Sequence, residues 1–170
     1  VFTERYKLDS AVNLWIRNES RANRKFGDIN TWDVSAITDF SSLFNSTIFN
    51  SDISNWDVSS GTDFSVMFWG AGLFNQDIGS WDVSSGTDFH SMFYNADAFN
   101  QDIGRWNVSS GTDFIRMFGG ANSFNQDIGS WDVSSGNDFS GMFSFADAFN
   151  QDIGRWNVSS GNDFSGMFSY

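Results

Sequence analysis

The chain has no cysteine, no proline and a single histidine, His90. Without cysteine, disulfides and thiolate metal sites are excluded, so stability must come from packing. One histidine supports neither a Ser–His–acid triad nor a histidine metal cluster. Without proline, one common interrupter of sheets is missing. No run of eighteen apolar residues occurs, so no helical membrane span is expected. Basic residues are scarce beyond residue 25. Residues 1–25 carry Arg5, Lys7, Arg17, Arg21, Arg24 and Lys25 against Glu4, Asp9 and Glu19, while residues 26–170 carry three arginines against eighteen aspartates. The net charge of −12 would repel a phosphate backbone, which argues against nucleic acid as a partner and in favour of cations or basic surfaces.

What the chain has instead is a repeat. FNQDIGSWDVSSGTDF begins at Phe74 and returns, lightly altered, at Phe99, Phe124 and Phe149, with worn copies at Phe49 and Phe26. Trp32, Trp56, Trp81, Trp106, Trp131 and Trp156 mark its register at spacings of 24, 25, 25, 25 and 25 residues. A fixed period of this size predicts a solenoid in which each unit packs on its neighbours. The chain divides into an N-terminal segment, 1–25, and six tandem units: 26–48, 49–73, 74–98, 99–123, 124–148 and an incomplete 149–170. Leu8, Ala11, Val12, Trp15 and Ile16 recur with helical spacing, predicting an amphipathic capping helix over 3–18 with Thr3 as N-cap. Residues 19–25 read as a polar connection.

Within a unit, Ile78, Trp81 and Val83 match the L-x-x-L-x-L pattern of leucine-rich repeats. A strand there would turn Trp81 and Val83 inward and Ser80, Asp82 and Ser84 outward. Phe89, Met92 and Phe93, at i, i+3 and i+4, predict one or two helical turns. The expected fold is an α/β repeat solenoid: a leucine-rich-repeat-like right-handed coil with a parallel β-sheet on one side and short helical turns on the other. The last unit stops after 22 residues. Either the natural array continues, or its open coil meets another chain, so self-association through that end is expected.

The motif FNQDIGSWDVSSGTDF…MF resembles the BspA-type leucine-rich-repeat surface proteins over nearly the whole chain. FTERYKLDSAVNLWI…FGDINTWDVSAITDF is similar to that family's entry into its repeats. The resemblance implies a cell-surface or secreted protein used in attachment or recognition, without enzyme chemistry. The chain departs from the family at Gly61, Gly86, Gly111, Gly136 and Gly161, where valine is usual, and at Phe64, Phe89, Phe114, Phe139 and Phe164, where methionine is usual.

No residue pattern suggests catalysis. The candidate binding surface is two outward ladders. Asn55, Ser80, Arg105, Ser130 and Arg155 form one; Asp57, Asp82, Asn107, Asp132 and Asn157 form the other. A protein or glycan ligand is the expected partner. Arginine occurs only in units whose aspartate has become asparagine, which predicts diagonal contacts from Arg105 to Asp82 and Asp132. The column Asp28, Asp52, Asp77, Asp102, Asp127 and Asp152 is the one cofactor candidate, for Ca²⁺ with Asn75 and Gln76 carbonyls. The competing reading has each of these carboxylates tying down its own turn. The variable positions 65–66 and 69–73, with Trp69 and Tyr94, fall on the outer side, where exposed aromatics suit a sugar or protein contact.

Overall fold

The computed structural model describes all 170 residues. Regular helix is confined to the N-terminal segment. α1 spans Arg5–Arg17 and buries Leu8, Ala11, Val12 and Trp15 along one face. Its N-cap is Glu4, which makes no side-chain cap bond, so Thr3 does not cap it. Asn18 ends α1 and starts α2, Glu19–Phe26, by accepting the Arg21 N–H. The segment expected as a connection is therefore helical. Only Ala22 is buried in it, so no apolar stripe announces it; instead Glu19 in the first turn and Arg24 and Lys25 in the last suit the helix dipole. α1 lies on the first repeat unit. Trp15 meets Trp32 edge-on with centroids 5.8 Å apart and donates its indole N–H to Ser51 Oγ at 2.9 Å. Arg5 pairs with Asp39 at 2.7 Å and donates to the Ser41 carbonyl.

The repeat units stack in register, but the expected leucine-rich-repeat coil with its parallel sheet does not form. Parallel pairing shrinks to one isolated bridge per interface: Asp39–Asp63, Asp63–Asp88, Asp88–Asp113, Asp113–Asp138 and Asp138–Asp163. None of these lies in the Trp–Val segment. There the backbone bonds close turns within a unit, from the Trp81 N–H to Ile78 and from the Gly86 N–H to Val83. Side chains link the units instead. The indole N–H of Trp81 reaches the Ile53 carbonyl at 3.2 Å, that of Trp106 reaches Ile78 at 3.0 Å, and that of Trp131 reaches Ile103 at 3.1 Å. Ser85 Oγ donates likewise to the Ser59 carbonyl. The Trp106 and Trp131 rings are 6.4 Å apart, more than the roughly 4.8 Å between paired strands, and a side-chain donor spans the gap. The alternation predicted for a strand survives without one: Trp81 and Val83 are buried, Ser80 and Asp82 exposed.

The expected helical turns are also absent. From Phe64 to Gly70, alternate N–H groups cross to the next unit: Phe64 to Asp88, Val66 to His90, Phe68 to Met92 and Gly70 to Tyr94, at 2.7–2.9 Å. The N–H groups between them close three-residue turns, Met67 to Phe64 and Trp69 to Val66. Val66 and Gly70 take φ of 61° and 64°, and the left-handed residues at 91, 95, 116 and 120 repeat the pattern. A left-handed residue every fourth position breaks a right-handed helix while leaving Phe89, Met92 and Phe93 buried as the i, i+3, i+4 spacing requires.

Like side chains therefore meet in columns. Phe64 stacks on Phe89 at 5.7 Å and 6°, Phe93 on Phe118 at 5.7 Å and 4°, and Phe99 on Phe124 at 6.0 Å and 8°. Across the junction of two successive units, Phe93 lies face to face with Phe99 at 4.0 Å. One continuous core runs from Leu8 to Ala146. A Cβ on Gly86 would sit 2.5 Å from Phe89 Cζ, whereas the first unit buries Ile37 and Phe40 at the same two positions, so glycine is not a condition for the ring. At Gly104 a Cβ would sit 2.5 Å from the Asp127 carbonyl of the next unit, a contact that a side chain would crowd.

Trp106→Ala, which removes a buried ring and its hydrogen bond, should cost about 3–5 kcal/mol in urea unfolding. Gly104→Ala should cost about 1–3 kcal/mol by forcing two units apart. The exposed Asp147→Ala should stay within about 0.5 kcal/mol. A loss under about 1 kcal/mol for Trp106→Ala contradicts this packing.

Candidate functional site

All ten residues of the two outward ladders are exposed: Asn55, Asp57, Ser80, Asp82, Arg105, Asn107, Ser130, Asp132, Arg155 and Asn157. The buried Trp and Val positions on either side of them hold them outward. The Asp/Asn ladder has a local task. The Oδ1 atoms of Asp57, Asp82, Asn107, Asp132 and Asn157 each accept the backbone N–H two residues on, at 3.0–3.2 Å. Asparagine performs this as well as aspartate, which explains how the two interchange. Where a serine hydroxyl adds to the N–H, as at Asp82 and Asp132, the pair of bonds holds the carboxyl below its usual range.

The expected diagonal contacts of arginine are not made. The ion pairs of the chain are Arg5–Asp9, Arg5–Asp39 and Lys7–Glu4, all involving α1 or its N-cap. Arg105 and Arg155 stay free of such pairs. Arg155 instead lines a cavity of about 310 Å³ with Ser130, Asp127, Gln151 and Asp152. That cavity joins the arginine ladder to the aspartate column proposed for Ca²⁺.

In that column, Asp28 Oδ1 accepts the Asn30 N–H, Asp52 accepts that of Ser54, and Asp77, Asp102, Asp127 and Asp152 accept those of Gly79, Gly104, Gly129 and Gly154, at 2.8–2.9 Å. One oxygen of each carboxylate is thus engaged in its own turn. Nowhere do three acidic or histidine groups converge closely enough to hold a metal ion. Beside this column the asparagines form an amide ladder. Asn75 Oδ1 accepts the Asn100 N–H at 3.0 Å and the Gln101 side-chain amide at 2.9 Å, and the next units repeat the arrangement.

A third aspartate column, not singled out by sequence reasoning, lies at the isolated bridges. Asp39, Asp63, Asp88, Asp113 and Asp138 are half-buried, and each accepts the N–H two residues on. Burial pushes the Asp88 carboxyl up, opposed by its bond from the His90 N–H and reinforced by Asp113 and Asp63 on either side. Asp39 is buried too, but its bonds from Ser41 and the guanidinium of Arg5 outweigh that and hold it low. His90 opposes the rise at Asp88 through its backbone N–H and, more weakly, through its charge. Sequence reasoning also missed a cavity of about 500 Å³ between α1 and the first unit, lined by Phe2, Tyr6, Lys7, Lys25 and Trp32 among others.

Fold and surface together define a tandem-repeat protein whose 25-residue units stack through aromatic ladders and present rows of exposed polar side chains. The family described as Mycoplasma protein of unknown function, DUF285, matches residues 14–118 and again 104–170, and the chain belongs to it. No curated protein and no solved structure matches it. No helix is long and apolar enough to cross a membrane.

Because its folded carboxyl is raised, Asp88 favours the native state when protonated, and that contribution is lost as pH rises through the raised value. Asp88→Asn keeps the Oδ1 acceptor and removes the charge. It should raise the melting temperature at pH 7, with the gain vanishing below about pH 4, where the aspartate is neutral in folded and unfolded chains alike. Thermal melts across pH check this, and a lower melting temperature at pH 7 contradicts it.

Proposed function

We propose that the chain is a non-enzymatic recognition or adhesion module of a cell-surface or secreted protein, of the BspA-type kind, holding a protein or glycan ligand against its outward ladders. What supports the reading is the free state of Arg105 and Arg155. They are two exposed cations without ion pairs on an acidic face whose aspartates and asparagines are already engaged in turns. Groups with unspent hydrogen-bonding capacity on a rigid, repeating surface suit recognition. Serine stands at the same positions in neighbouring units, so Arg105→Ser with Arg155→Ser preserves the fold. The folded chain should bind members of a panel of matrix proteins and glycans, and the double variant should bind them at least about tenfold more weakly. Binding that survives both replacements, or silence across the whole panel, contradicts the reading.

A second reading, a structural protein whose coils stack chain on chain into filaments or a layer, is favoured by the stacking itself, in which equal rings of successive units lie face to face, as Phe93 does on Phe118 at 5.7 Å and 4°. On this reading light scattering should grow with concentration and change little with salt, because the stacked rings are apolar. A strictly monomeric chain at high concentration excludes it.

A further inference from the structure

The column formed by Asn45, Trp69, Tyr94, Gly119, Ser144 and Ser169 loses its aromatic rings halfway along the array. Trp69 and Tyr94 stack with planes 8° apart and centroids at 6.2 Å. The next position is Gly119, where a Cβ would lie 2.9 Å from Tyr94 Cδ2 and 3.1 Å from Ser144 Oγ. Tyr94 thus lies across a glycine that any side chain would displace it from. At this step a cavity of about 310 Å³ opens. Tyr94 and Phe145 are its two aromatic residues, the serines at 140, 144 and 165 supply hydroxyls, and Arg116 supplies a guanidinium. No carboxylate lines it, although the chain carries 21 acidic residues. Arg116 is exposed and in no ion pair, and Ser144 is only 8% exposed.

The geometry points to a subsite for an acidic sugar residue, with the pyranose against Tyr94, its hydroxyls on the serines and its carboxylate on Arg116. The volume lies at the low end of the roughly 300–1,000 Å³ of small-molecule sites, which suits one or two sugar rings. An aromatic wall presents an apolar surface to the C–H face of a sugar, and a guanidinium meets a carboxylate with two parallel hydrogen bonds. A polyanion such as nucleic acid would suffer the repulsion of the whole body, whereas a single carboxylate meets only the local arginine. The site shares no residue with the outward ladders, so it stands or falls separately from them.

The test is an amide-resolved NMR titration of the intact chain with sodium D-glucuronate, with D-glucose and sodium acetate as separate controls. Glucuronate should shift the amides of Arg116, Gly120, Gly141 and Ser144 and saturate in the millimolar range. Glucose and acetate should each bind about tenfold more weakly, since each lacks one half of the chemistry. Arg116→Gln and Tyr94→Ala should each weaken glucuronate about tenfold while leaving the other units' amides in place. No shift with glucuronate, shifts matched by acetate alone, or shifts indifferent to both substitutions would overturn the proposal. Arg116 is exposed, so its variant keeps the test decisive even if Tyr94→Ala perturbs its own unit.

Discussion

Face-to-face contact between identical rings, one unit apart, is the constraint from which the rest of the structure follows. Phenylalanine at three positions and tryptophan at a fourth recur every 25 residues, so the chain gains its contacts only when each unit lies over the last without slipping. A slip of one residue would set Phe89 against Asp63 or Ser65 rather than Phe64, and would part every indole N–H from its isoleucine carbonyl. Register is thus enforced by stacked side chains together with the alternate backbone bonds that cross from Phe64, Val66, Phe68 and Gly70 to the next unit, without a continuous sheet. Glycine stands where a Cβ would enter a neighbouring ring or carbonyl in the regular units, as at Gly86 and Gly104, while the first and second units carry Ile37 and Ser54 at the corresponding positions.

The polar surface answers to the same geometry. Stacking equal units also stacks equal charges, and three aspartate columns result. Each carboxylate is turned onto the backbone two residues on, which satisfies the turn and fixes one oxygen. Where burial is added, as at Asp88, like charges above and below raise the cost of ionisation. The cations that would relieve this charge are few, and those in the repeats are not bound to it. Arg105, Arg116 and Arg155 enter no ion pair within the chain, so the acidity of the body and the freedom of its arginines are the two features a partner would meet.

Much of this was legible in the sequence, and the failures are instructive. The tryptophan spacing gives the units, and the alternation of Ser80, Trp81, Asp82 and Val83 gives inside and outside correctly. That alternation does not require a strand, because a turn closed by Ile78 and a side-chain link to Ile53 orient the same residues. The spacing of Phe89, Met92 and Phe93 likewise reports a shared buried face and not a helix, since nothing in a serine such as Ser91 announces its left-handed backbone. α2 was missed because it has almost no apolar face. Exposure of the ladder residues was readable from pattern. The isolation of Arg105 was not, because it depends on distances between units. The cavity beside Tyr94 arises from what a column lacks at Gly119, and an absence within a repeat carries no motif.

If nearest-neighbour stacking carries the stability, a whole unit can be removed without disturbing the rest. The most direct measurement is the urea unfolding of a chain lacking residues 99–123, beside one lacking only 99–110. The first deletion joins Ala98 to Phe124 and restores every ring and indole contact in register. It should give a cooperatively folded, less stable protein with the same aromatic circular dichroism per unit. The second throws the following units out of register and should destroy folding beyond residue 98. Loss of folding on the in-register deletion, or equal stability of the two chains, would contradict the account.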